Sequence, residues 1–177
     1  MATRSPNRAD PEPSRFGKND RVRRFNLFSD ELEAEDEWYR PGYPQRAAAV
    51  DEAIGAAKIG GAVYALEEGE RVCPYHYHHG VEEWLVVVTG TPSLRTPDGE
   101  QQLRAGDVVC FPGSPEGAHT VRGPGRVLML SDEVWPAVVV YPDSDKIGAR
   151  PGPWGTYPED RGNFRRSDAV HYWDGEQ

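Results

Sequence analysis

From Ile54 to Tyr141 the chain is broken by glycine and proline so often that no helix of ordinary length fits into it. Between the breaks stand short apolar runs rich in valine: "EEWLVVVTG" (82–90), "AGDVVCFPG" (105–113), "GRVLMLS" (125–131) and "PAVVVYPD" (136–143). "SLRTPDGEQQL" (93–103) reads as a hairpin, with Pro97, Asp98 and Gly99 supplying the turn chemistry. "IGAAKIGGAVYALEEGE" (54–70) reads as further strand material with glycine breaks. Strands at roughly ten-residue spacing predict an antiparallel all-β sandwich or barrel. The missing helices argue against a βαβ architecture, and no internal repeat is evident.

The flanks differ from this middle. Residues 1–24 lack periodicity and sum to +4, which leaves −13 on the remainder of a chain whose net charge is −9. They read as a disordered basic leader. The overall acidity argues against a nucleic-acid surface. In "FSDELEAEDEWYRPGY" (28–43) a helical turn is expected, with Ser29 as N-cap and Pro41-Gly42 as its end. The tail, 151–177, carries Trp154, Tyr157, Phe164, Tyr172 and Trp173, and these rings are expected to dock on the barrel or on a partner subunit. The expected division is therefore leader 1–24, barrel with N-terminal extension 25–150, and tail 151–177. A chain of 177 residues suits one such domain. No apolar run spans a membrane and the first twenty residues hold no apolar signal segment, so the cytoplasm is the expected location. Cys73 and Cys110 are then expected as reduced thiols, Cys110 as a buried small hydrophobe.

Three of the five histidines crowd into "HYHH" (76–79). Side chains two apart on a strand share a face, so His76 and His78 point together while Tyr77 points away. Two neutral imidazoles side by side make a metal-binding pair. After a turn at Gly80, Glu83 can return an anionic ligand to the same centre, and His119 offers a fourth from a distant Gly- and Pro-rich turn. His79 and His171 read as solvent-exposed or as lying just behind the ligands. Glu82 has the wrong parity, as do Tyr75, Tyr77 and Trp84, which are expected on the outer surface. Arg95 and Arg104 could meet an acidic substrate if they faced inward, but hairpin arginines are usually solvated.

These residues resemble the first motif of the cupin superfamily, G-x5-H-x-H-x3,4-E-x6-G. Gly69 is followed by six residues, then His76-x-His78, four residues, Glu83, six residues and Gly90. The second motif, G-x5-P-x-G-x2-H-x3-N, is met by Gly106 and Pro112. The loop to His119 is two residues longer than the pattern, and Gly123 stands where the motif has asparagine. Within the superfamily the chain resembles small single-domain bacterial cupins that share "PYHYHHGVEEWL", "LRTPDG", "GDVVCFP", "YPDSDK" and a terminal "YWDGE". The resemblance implies an antiparallel double-stranded β-helix, the jelly-roll cupin barrel. Residues 141–146 and 172–176 would close one end of it.

The resemblance also implies one divalent metal ion (Fe, Mn, Ni, Cu or Zn) held by His76, His78, Glu83 and His119. The mixed imidazole and carboxylate chemistry agrees with that set. The expected function is a metal-dependent enzyme on a small organic molecule, oxygenase-type first. A metal-dependent isomerase or lyase, and a non-catalytic small-molecule or metal sensor, are the alternatives. A storage or structural cupin is disfavoured because all four ligand types are present. A homodimer is expected, since apolar outer positions at Trp84, Val86 and Val88 need cover.

Overall fold

The computed structural model describes residues 22–34, 40–43, 46–153 and 155–176. Its elements run β1 (Glu33–Ala34), β2 (Arg46–Ala49), the one-turn helix α1 (Val50–Ile54), β3 (Ile59–Leu66), β4 (Tyr77–His79), β5 (Glu83–Gly90), β6 (Ser93–Thr96), β7 (Gly99–Gln102), β8 (Val108–Phe111), β9 (Thr120–Arg122), β10 (Gly125–Asp132), β11 (Ala137–Tyr141), β12 (Lys146–Arg150) and β13 (Gly162–Arg165). Every described strand pairing is antiparallel. The strands form a six-stranded sheet ordered β1-β2-β3-β10-β5-β8, a four-stranded sheet β13-β12-β11-β4, and a three-stranded sheet β7-β6-β9. This is the all-β barrel expected from the turn spacing.

Alternation along β5 builds the core. Leu85 and Val87 point inward and are buried, joined by Phe111 of β8, Val127 and Met129 of β10, and Leu94 and Val121 of the three-stranded sheet. Burying each of these side chains contributes about 1.5–3 kcal/mol. A second cluster lies on the outer face of the six-stranded sheet, where Val88, Leu128, Val63 and Val50 are covered by Phe25, Leu27 and Leu32. The outer valines thus find cover within the same chain. Val86 belongs to that cluster as well, and Trp84, 45% exposed, is the member of the expected dimer face left open.

Several local expectations change. The helical turn with Ser29 as N-cap is replaced by a tight turn held by Asn26, whose Oδ1 accepts from the Phe28 and Ser29 amides at 2.8 and 3.2 Å. Leu32 then leads into the extended β1, and Trp38 lies outside the described residues, as do residues 1–21 of the leader. Cys110 is exposed, because β8 turns Phe111 into the core and Cys110 onto the opposite face. In the tail, β13 pairs with β12, yet Tyr157, Phe164, Tyr172 and Trp173 are all exposed; Trp154 lies outside the described residues. Tyr141, in the other segment expected to close the barrel, reaches the site described next. Among the described residues no helix is long and apolar enough to cross a membrane.

Candidate metal centre

Glu83 opens β5 on the inward side, two residues ahead of the buried Leu85, so strand parity carries its carboxylate into the barrel. His78 lies on β4, paired with Val139 of β11. His76 precedes β4 and forms an isolated antiparallel bridge with His119, their amides donating reciprocally to the two carbonyls at 3.1 and 2.8 Å. Thr120 Oγ1 donates to the Cys73 carbonyl at 2.7 Å and ties the same two segments one step further on. This pairing is what sets His119 beside His76. The two extra residues of the second motif are taken up in a 3-10 turn, Pro115–Gly117, and do not displace the histidine.

The four side chains converge. Glu83 Oε2 lies 3.5 Å from His76 Nε2, 3.3 Å from His78 Nε2 and 3.6 Å from His119 Nε2. The ligand atoms of His76, Glu83 and His119 are all within 4.8 Å of one another, and His78 reaches that trio through Glu83. His119 is fully buried and His76 is 7% exposed.

Supporting contacts decide which ring nitrogen faces the centre. A carbonyl can only accept, so His119 Nδ1 donates to Gly117 O at 2.9 Å and His76 Nδ1 donates to Pro74 O at 3.0 Å. In neutral rings this leaves both Nε2 lone pairs aimed inward, the tautomer a metal ligand requires. Phe111 stacks on His119 at 3.6 Å with 6° between the planes, and Tyr141 stacks more loosely on His76 at 6.0 Å. His78 lacks such a support, since its buried Nδ1 has no hydrogen-bond partner.

The donor set fits a metal ion on two counts. His119 Nε2 and Glu83 Oε2 are buried with no hydrogen-bond partner, a costly state unless something else occupies the space between them. Ligand atoms bonded at about 2.0–2.2 Å to one ion stand roughly 3–3.5 Å apart, close to the separations seen here. Electrostatics agree. Burial would raise the Glu83 carboxyl, but the imidazoles of His76 and His78 close beside it outweigh that and hold it well below the usual carboxylate range. Burial, together with the nearby His76 charge, pushes His119 down to about 4. Burial would lower His76 as well, but the Cys73 sulfur 3.4 Å from Nδ1 and the Glu83 carboxylate raise it to about 11. A proton on His76 thus balances the Glu83 charge, the balance a cation would otherwise supply.

A cavity of about 250 Å3 opens beside His78 and Glu83. Its further walls include Asp132, Glu133, Trp135, Arg150 and Arg161. None of these five stood out in the sequence, because they come from the end of β10 and the loop after it, the end of β12 and the tail, with no spacing to link them. Residues expected outside are outside: Trp84 donates its Nε1–H to Glu82 at 2.8 Å, and His79 and His171 are exposed. Arg95 also faces away from the cavity, bound to Asp143 at 2.7 and 2.9 Å with its guanidinium 4.0 Å over the Tyr75 ring. Arg104 is solvated.

Comparison with known proteins agrees with the architecture. Residues 62–131 match the cupin domain family, a span containing His76, His78, Glu83 and His119. Among curated proteins, none matches the chain in sequence. A solved structure from Silicibacter pomeroyi, a cupin-superfamily protein described as a sugar phosphate isomerase, is similar with a TM-score of 0.65 at 21% identity, over 85% of this chain and 98% of that one. A protein assigned as a sugar phosphate isomerase from Acidithiobacillus ferrooxidans also superposes at 0.65, with 24% identity over 75% of this chain and 83% of its own. At these identities the likeness concerns the fold. With the barrel, the motif spacing and the matched span together, the chain carries a cupin domain over residues 62–131.

Proposed function

We propose that this cupin is a metal-dependent enzyme acting on a small organic molecule, with His76, His78, Glu83 and His119 as the metal ligands. The observation that carries the reading is the pair of buried, unpartnered atoms, His119 Nε2 and Glu83 Oε2, 3.6 Å apart beside a cavity that Glu83 and His78 line. A divalent ion held there supplies Lewis-acid polarisation of a bound substrate oxygen. The chain's own part is to fix the ligand tautomers through Pro74 O and Gly117 O, and to admit substrate along the side formed by His78 and Glu83.

Of the reactions open to such a site, the cavity favours isomerase or lyase chemistry over the oxygenase put first from sequence. Asp132 and Glu133 line its rim and offer carboxylates to move a proton on a substrate seated there, which isomerisation and elimination need. The two structural neighbours described as sugar phosphate isomerases support the same choice. A homodimer in the cytoplasm belongs to this reading, and light scattering checks the oligomer.

The test is elemental analysis of tag-free protein purified without chelators, beside His119→Ala. About one equivalent of a divalent metal in the wild type, and little in the variant, is the expected result. No metal in the wild type and no uptake on reconstitution would sink the assignment. Oxygen consumption with catechols or diketones would return the oxygenase to first place.

A further inference from the structure

Arg150, at the end of β12, is held by four hydrogen bonds. Its Nη1 donates to Ala149 O at 2.9 Å and Gly162 O at 3.1 Å, and its Nη2 to Asn163 Oδ1 at 3.1 Å and Tyr141 Oη at 3.3 Å. All four acceptors are neutral, and Arg150 forms no ion pair among the described residues. Arg95 shows the contrast: on the outer surface it has a carboxylate in the bidentate arrangement a guanidinium favours. Arg150 is thus a fixed, half-buried cation with no ion-pair partner among the described residues, and it lines the cavity that also contains Glu83 and His78. Arg161 adds a second guanidinium to that lining, anchored through Nη2 to the Gly152 and Pro153 carbonyls.

The rest of the lining has a different chemistry. Asp132 and Glu133 present carboxylates, which accept hydrogen bonds from hydroxyls and repel anions. Val134 and Trp135 supply an apolar surface between, Trp135 being 37% exposed. The geometry points to a small polyhydroxylated anion as the molecule this cavity takes, its phosphate or carboxylate seated against Arg150 and its hydroxyls directed to Asp132 and Glu133. The Nη2 bonds, long and to neutral oxygens, are weaker than the charge-assisted bonds of about 2.7–2.9 Å that an anion offers, so that edge of the guanidinium is open to exchange. A cavity of about 250 Å3 sits just below the usual range for drug-sized ligands, which suits a molecule the size of a pentose derivative. This inference rests on reading the cavity as the substrate site, but it does not require the metal.

Calorimetric titration of the protein as purified with ribose 5-phosphate, ribonate and ribose, at fixed ionic strength, tests it. At least one of the two anions should bind roughly tenfold or more tightly than ribose, a gap of about 1.4 kcal/mol. Tight binding of ribose 5-phosphate alone identifies a phosphate, and of ribonate alone a carboxylate. Arg150→Gln should abolish the preference while metal content and melting temperature stay as in the wild type. Ribose binding as well as its anions, or a preference that survives Arg150→Gln, would overturn the inference. So would loss of metal together with affinity, which would assign Arg150 to the fold. If Arg150→Gln fails to fold, the double variant Asp132→Asn, Glu133→Gln on the exposed rim decides. It should weaken ribose 5-phosphate and leave inorganic phosphate unchanged, and equal effects on both would overturn the proposal. A wild type without metal that still prefers the anions would remove the metal assignment and leave this one standing.

Discussion

At the scale of single residues, the centre divides its histidines into two kinds. His119 and His76 have their Nδ1–H groups committed to carbonyls, whereas His78 Nδ1 has no partner. Ligands oriented by a second hydrogen bond bind more tightly, typically by 10–100-fold. His119→Ala and His76→Ala are therefore expected to reduce metal affinity at least about tenfold more than His78→Ala, as read by competition with a chromogenic chelator. The charges predict a pH profile for the metal-free protein. His119 titrates near 4 in the fold and near 6.5 when unfolded, so between those values the unfolded chain takes up a proton that the folded one refuses. Stability then falls as pH drops from about 6.5 toward 4, and Glu83, held low in the fold, extends the loss to lower pH. His76 acts in the opposite sense: raised to about 11, it stabilises fully below 6.5 and loses that contribution as pH climbs toward 11. Urea unfolding at several pH values should give a maximum near neutrality, and a stability that rises continuously to pH 9 would contradict the assignment.

At the scale of elements, the turn before His119 is the piece that departs from the motif spacing and still delivers its histidine beside His76 and Glu83. Pro115–Gly117 coils into a 3-10 turn, and the Gly117 carbonyl accepts from the histidine it precedes by two residues. The turn packs so tightly that a Cβ on Gly117 would collide with the Pro112 carbonyl. Gly117→Ala should thus shift the carbonyl that orients His119. A roughly tenfold weaker metal site in a protein that still unfolds cooperatively is the expected result. β5 shows the opposite case, in which simple alternation suffices: Glu83, Leu85 and Val87 share the inner face. Truncating Leu85 to alanine should cost about 2–5 kcal/mol, measured by denaturant unfolding, because its fully buried side chain leaves a cavity no neighbour fills.

At the scale of the whole molecule, the chain has two apolar layers, one inside the barrel and one on the outer face of the six-stranded sheet. The second depends on a segment well before the barrel strands. Phe25, Leu27 and Leu32 cover Val88 and Leu128, and Arg126 secures the same segment by donating to the carbonyls of Phe28 and Asp30 at 3.2 and 2.8 Å. Leu27→Ser should lower stability by about 1 kcal/mol, since a half-buried leucine contributes part of its full transfer energy. In a protein of this size that is roughly 2–4 °C in melting temperature, and an unchanged melt would show the segment to be dispensable. The cover also revises how the outer valines were read, because an apolar position on a strand's outer face does not say which part of which chain will lie on it.

The barrel and three of the four proposed ligands were legible in the sequence because each depends on local rules. Turn residues at regular spacing define antiparallel strands, and period-two alternation puts His76 with His78 and carries Glu83 inward. His119 was legible through motif spacing, but its exact seat depends on the bridge to His76, a contact between residues more than forty positions apart. The same limit explains Cys110, whose parity within β8 follows from its pairing with β5 and not from its apolar neighbours. It explains Arg150 most clearly. Nothing in "GARPG" distinguishes that arginine, and only the folding of β12 between β11 and β13 brings its charge to the cavity beside Glu83. Periodicity is a property of neighbours along the chain and can be read there; convergence of distant side chains on one cavity belongs to tertiary structure.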